Sequence, residues 1–542
     1  MADARPADPQ TADTTNPILG GKTATPLEAQ AAATPKTTLP ALEVIALNRM
    51  GYGPRLGDLD AFRKLPGADA NAKFRAYVEA QLNPERIDDR DCENRVSGLS
   101  TQRKNLEQLW LEYRLNVKDG DDRYQIMWRP TQETRLNMFL RAVYSKRQLL
   151  EVVIEFWHNH FNVHPDRDER MVAGFAAFHQ HIRRNAFGNF RVLLEGVATS
   201  PAMMYYLDNA TNNRAGPNEN FARELFELHT LGAENYKGVM RQKDVPGFSK
   251  GQPVGYVDDD VYEATRAFTG WRVDDNKDEQ GMRNTGAFIT YAPWHDRFQK
   301  LVLGKFLPPD QSPLEDGKAV LAVLANHPGT ARHIARKLCR RLVSDTPSEA
   351  LVQAAAKVFY DARNAPDQIK QVIRTILLSN EFRTTWGEKI KRPYESAVSL
   401  LRAVDAEVET HERVLEYLNW IGQQLFGHRP PDGYPDDRAP WSGAALLLRR
   451  WQFGQGVVFG QLERIKVDLI AETPSTLRTP NQIVDYWLAR MLGRTSSALR
   501  TEALDILAAD LSPDLPIPTD QAKDRLARLV GFIQMTPDFL WR

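Results

Sequence analysis

The sequence predicts an all-α protein, a multi-helix array with one small β-hairpin insertion near residues 272–300. Three observations carry that reading. Apolar residues recur at helical spacing along most of the chain. Proline, glycine and Asn-Pro mark where one helix stops and the next starts. A β-like run, AFITYA, stands alone among Gly, Asn and Asp turn residues.

Taken in order, LEVIALNRMGYG (42–53) reads as a helix stopped by Gly51 and Gly53. KFRAYVEAQL (73–82) is a second, ended by Asn83-Pro84. Residues 134–164 read as one long or broken helix that stops at Pro165. Residues 171–187 and 190–200 follow, then PNENFARELFELHTLG (217–232), with Pro217 near its start and Gly232 just beyond its end. DDDVYEATRAFTGW (258–271) opens on an acidic first turn, which suits a helix dipole. Helical periodicity resumes at 314 and continues to the end, interrupted by the Pro-rich loop 426–443. The organisation expected is a flexible Ala/Thr/Pro-rich tail over 1–40, an N-terminal helical region over 41–310 and a C-terminal helical region over 311–542.

With 70 basic and 70 acidic side chains the chain is formally neutral. That argues against a nucleic-acid partner, which calls for a basic excess. No run of 18 apolar residues suggests a membrane span. The N-terminal composition resembles what remains after a signal peptide is removed, so a periplasmic or secreted location is expected. The two cysteines form no C-x-x-C pair, and Cys339 falls in an apolar-periodic helix, as a buried free thiol would.

Seven of the eleven histidines lie between residues 158 and 295. His160 and His164 are four apart and could share a helix face, and Glu155 precedes His158 at Glu-x-x-His spacing; either could serve a metal. The alternative is a set of buried, hydrogen-bonded histidines at helix crossings. In the helix 217–232, Asn220, Glu224 and Glu227 fall on one stripe at about 100° per residue, with Arg223 beside them. Paired carboxylates on one stripe can divide acid and base roles. Aromatic residues nearby in sequence, among them Trp157 and Trp271, could stack on sugar rings. No nucleophile elbow, Walker loop or zincin motif is present.

The segments ALNRMGYGP, FWHNHF, YLDNATNNRAGPNENFARELFELHTLG, DVYEATRAFTGW and HDRFQKLVLGKFLP resemble, in order, those of the bacterial exported family called "domain of unknown function eighteen hundred". The resemblance continues through HPGTARHIARKLCRRLVSDTPS and KRPYESAVSLLRA, spanning roughly residues 42–460. It falls on Trp157, His158, His160, Phe161, Asn218, Glu219, Asn220, Arg223, Glu224, Glu227, His229, Gly232, Thr269, Gly270, Trp271, His295 and Asp296, and leaves out Glu155 and His164. It implies an exported protein, often encoded beside a second exported family, and brings no activity with it.

The function expected is that of a glycoside hydrolase-like enzyme acting on a polymer, a polysaccharide above all. Glu224, Glu227 and His160 are the catalytic candidates. His158, Trp157, Asn220, Arg223, His229, Trp271, His295 and Asp296 are the substrate-binding ones. No metal or cofactor is expected. Two alternatives stand beside it: a non-catalytic assembly partner of a neighbouring exported protein, and a histidine-dependent metalloenzyme.

Overall fold

The computed structural model describes residues 39–279 and 281–542. The tail expected over residues 1–40 therefore lies, but for its last two residues, outside the described residues. The segments read as helical are helical, and one break and one change of helix type have identifiable causes. The run expected over 134–164 is two helices, Arg123–Tyr144 and Gln148–His160. The break between them is clamped by buried Asp89, which accepts hydrogen bonds from Ser145 Oγ and Lys146 N, each at 2.7 Å. The second helix stops at His160, because Phe161 leaves helical geometry (φ −100°, ψ 54°). His160 and His164 therefore do not share a helix face. The helix expected over 217–232 is short: an α-turn over Asn220–Glu224 widens into a π-helical turn over Leu225–His229.

Strand pairing is limited to two-stranded ribbons among the described residues. The expected hairpin pairs Trp271–Val273 with Phe288–Thr290 in antiparallel register, Arg272 opposite Ile289. A second hairpin, Lys300–Val302 with Lys305–Leu307, was not expected. Its strands are too short to show a period-2 pattern. Its turn, Leu303-Gly304, has positive φ at both residues (49° and 74°), the geometry that joins twisted strands in two residues.

Helices Arg123–Tyr144, Gln148–His160 and Glu169–Asn185 pack on one another. Pro328–Leu342, Glu349–Asp361 and Gln368–Leu377 form a second packed group. Helix Pro393–Ala403 packs against both Arg123–Tyr144 and Ala444–Val458, so the regions expected on either side of residue 310 share one apolar core. Leu39–Arg542 is one compact unit. Cys92 and Cys339 are both buried free thiols, and burial pushes each up to about 12.

That core encloses charge. Glu395 Oε1 meets Arg341 Nη1 at 2.5 Å, Arg542 Nη2 at 2.7 Å and Arg392 Nη2 at 3.2 Å. Glu155 Oε2 meets Arg392 Nη2 at 2.7 Å and Arg341 Nη2 at 3.2 Å. All five side chains are buried. The network ties helix Gln148–His160 to Pro328–Leu342, Pro393–Ala403 and Arg542. Glu155 is thus held by arginines and is not free to serve the Glu-x-x-His pair that its spacing suggested.

Candidate active site

The sequence-predicted residues fall into three groups. His158 lies under the helix crossing, its Nε2 2.9 Å from His179 Nδ1, while Asn137 Nδ2 lies 3.3 Å from His179 Nε2. If Asn137 donates, His179 accepts at Nε2 and donates from Nδ1 to His158, so both rings are neutral. Burial lowers His158 to about 3. In the second group, His295 Nδ1 faces Thr269 O at 2.8 Å and Nε2 faces Asp316 Oδ2 at 3.1 Å. Lys300 Nζ reaches the same carboxylate at 2.7 Å, and Asp296 is paired with Arg266. Trp157 and Trp271 are fully buried, and their indole N–H groups donate to Ala186 O and Pro313 O. Neither indole presents a face to solvent.

The third group surrounds the π-helical turn. A π-turn leaves carbonyls at its end that must be satisfied from elsewhere. Here two of them are met by side chains distant in sequence and two by groups just beyond the turn. His160 Nε2 lies 3.2 Å from His229 O, and His333 Nε2 lies 3.2 Å from Leu228 O. Thr230 Oγ1 donates to Leu225 O at 2.6 Å, and Gly232 N to Phe226 O at 3.1 Å. Gly232 has φ +90°, and a Cβ there would lie 2.4 Å from both His333 Nδ1 and Glu234 Oε2, so the exit from the turn requires glycine. His160 is 1% exposed and sits beneath the turn as a cap. His229 is wholly buried, with no hydrogen-bond partner at either ring nitrogen among the described residues.

The turn presents Glu224 and Glu227, both half-buried. Their neighbours are committed elsewhere. Arg223 pairs with Glu219 at 2.8 Å and Asp258 at 3.5 Å, and Asn220 Nδ2 donates to Asp208 at 3.2 Å. Neither Glu224 nor Glu227 carries a hydrogen bond or ion pair among the described residues, which is uncommon for half-buried carboxylates. Burial raises Glu224 above its ordinary value. The adjacent charges of Glu227 and Asp432 raise it further, against the pull of Arg223.

Sequence reasoning missed Asp432, His333 and Lys337. Asp432 belongs to the Pro-rich loop, which is pinned against the end of helix Gln148–His160. Asn159 exchanges two 2.8 Å hydrogen bonds with the Tyr434 backbone, and Asn162 donates to Pro430 O at 2.7 Å. His428 Nε2 lies 2.9 Å from Asp432 Oδ1. The only signal in the sequence was the density of Asp, Pro and Gly in that loop. Lys337 is partly buried among Asp436, Arg340, Asp432 and Glu234, and burial lowers its ammonium. His333 Nδ1 lies 3.3 Å from Glu234, which is brought down to about 2. Burial alone would raise that carboxyl, and the His333 ring outweighs it. No group of three His, Cys, Asp or Glu side chains placed to hold a metal occurs among the described residues.

The buried histidines set an acid limit on the fold. His158 and His229 are both lowered to about 3 by burial. The unfolded chain binds protons near pH 6.5 that the folded chain refuses, so this stability is present above pH 6.5 and is lost as pH falls toward 3. From pH 7 to pH 5 the two rings together are expected to withdraw on the order of 4 kcal/mol. Urea unfolding at the two pH values checks this; an unchanged midpoint would contradict it.

Comparison with curated proteins and with solved structures gives no match. A family model described as "Protein of unknown function (DUF1800)" matches residues 45–541, from the first helix of the described fold to its penultimate residue. The match takes in the π-helical turn, the histidine caps and the loop that brings Asp432 to them, and the chain belongs to the DUF1800 family.

Proposed function

We propose that this chain is an exported hydrolase, periplasmic or secreted, that cleaves a polysaccharide by general acid–base catalysis at the Glu224–Glu227 turn. The observation that carries the reading is the state of Glu224, a half-buried carboxyl with no hydrogen-bond or ion-pair partner among the described residues, raised by burial and by two neighbouring carboxylates. A carboxylic acid kept protonated above its ordinary range is suited to protonate a leaving oxygen. A second carboxylate, Glu227 or Asp432, then takes the proton from the attacking water. His160 and His333 act as positioning residues, because they cap the carbonyls of the turn that carries both glutamates.

The test is hydrolysis of a panel of bacterial polysaccharides, with product analysis, followed by a pH profile on any substrate found. Activity should fall on the alkaline side as Glu224 loses its proton, at a pH above the ordinary carboxylate range. Asp432→Asn removes one of the charges that raise Glu224 and should move that limb to lower pH. An alkaline limb unmoved by Asp432→Asn would count against this assignment.

A second reading, a non-catalytic assembly partner, is favoured by the burial of His158, His295, Trp157 and Trp271 in closed networks. It predicts no hydrolysis across the panel and capture of a neighbouring exported protein.

A further inference from the structure

The M-G-Y-G-P-R-L-G-D segment (50–58) lies at the opposite end of helix Gln148–His160 from the carboxylate turn. That helix has 13 residues, so the two ends are separated by about 20 Å at 1.5 Å rise per residue. The segment borders a cavity of about 410 Å³ that the proposed hydrolysis does not use. This volume is in the range of small-molecule sites.

The cavity is held open by a rigid rim. The buried guanidinium of Arg402 donates to Gly53 O at 2.9 Å, Val143 O at 2.7 Å and Asp58 Oδ2 at 2.9 Å. Asp58 Oδ2 also accepts from Arg55 N at 2.8 Å, which fixes the turn before it. Gly57 adopts φ +86°, and a Cβ there would meet nothing within 4 Å.

The chemistry of the lining selects the ligand. Leu47, Leu56, Phe62, Leu65, Tyr77 and Tyr144 give most of the apolar part of the wall, so the occupant has an apolar body, and three of these six are rings that favour a ring. Three cations reach the cavity, but Arg55 is paired with Asp405, Arg402 with Asp58, and Lys146, exposed at the mouth, lies 4.0 Å from Asp91 Oδ2, so each already has a carboxylate beside it. The Tyr77 hydroxyl has no hydrogen-bond partner among the described residues and is available to one polar group on the ligand.

We propose that this cavity is a binding site for a small, uncharged, ring-bearing molecule with one hydrogen-bonding group. The site is independent of the carboxylate turn.

Titration of the full chain with the neutral fluorophore N-phenyl-1-naphthylamine tests it. Saturable one-to-one binding is expected, with Kd on the order of 10 µM. Ala61→Trp and Ala80→Trp replace exposed residues of the cavity wall and should each weaken binding at least tenfold without changing the thermal melt. In displacement, 1-naphthol should compete at least tenfold better than anionic 1-naphthoate. Absence of saturable binding, binding that survives in both tryptophan variants, or equal competition by naphthoate would overturn the proposal.

Discussion

Glu395→Ala is expected to cost about 3–5 kcal/mol of folding stability, a large share of the 5–15 kcal/mol that holds an ordinary domain together. The reason is the company that Glu395 keeps. One carboxylate oxygen faces Arg341, Arg392 and Arg542, and all four side chains are buried. Burial alone would raise the carboxyl, but the three guanidiniums hold it well below the usual range. Its contribution is therefore present at any pH above the unfolded value and is lost only in strong acid. Removing it leaves three buried cations with Glu155 as the one remaining carboxylate of the network. Arg341 Nε, Arg392 Nη1 and Arg542 Nε already lack partners among the described residues. Glu155→Ala should act in the same direction but more weakly, since Glu155 contacts two of the three arginines. Denaturant unfolding of both variants checks the order. A Glu395→Ala midpoint equal to the wild type would show that the network is not a keystone of the fold.

The helices were legible because their signals are local. Ser312 and Glu315 cap one helix reciprocally, as do Thr479 and Gln482 another, and both pairs stand three residues apart in the sequence. The site was legible in part. Glu224 and Glu227 were singled out by spacing, and they do stand together without hydrogen-bond or ion-pair partners among the described residues. The stripe assumed regular α-geometry throughout, however, and the helix widens to π-geometry between Glu224 and Glu227. Nothing in LFELH announces a π-turn, because it depends on caps from His160 and His333, which lie 69 and 105 residues from the carbonyls they satisfy. The histidine enrichment was misleading for a related reason. His158, His160 and His295 look like one cluster in sequence, but each finds its own distant partner: His179, the His229 carbonyl and Asp316. Loop composition could not place Asp432, since only the packing of the Pro-rich loop on Asn159 and Asn162 brings it to Glu224.

Glu224→Gln is expected to abolish turnover while leaving the fold intact. The amide keeps the shape of the acid but cannot deliver a proton. General acid–base catalysis is worth about a hundred- to ten-thousand-fold, so the loss corresponds to roughly 3–5 kcal/mol of transition-state stabilisation. The stability effect runs the other way. A carboxyl whose folded value is raised destabilises the fold once pH exceeds its unfolded value, because the unfolded chain ionises more readily. Replacing it with a neutral amide removes its repulsion with Glu227 and Asp432, so the melting temperature at pH 7 should hold steady or rise. The most direct test is therefore a paired measurement of Glu224→Gln and wild type at pH 7, on a polysaccharide that the wild type cleaves: initial rate of new reducing ends, and melting temperature. The expected result is a rate at least a hundredfold lower with a melting temperature unchanged or higher. A rate within threefold of wild type, or a rate loss accompanied by a large fall in melting temperature, would contradict it.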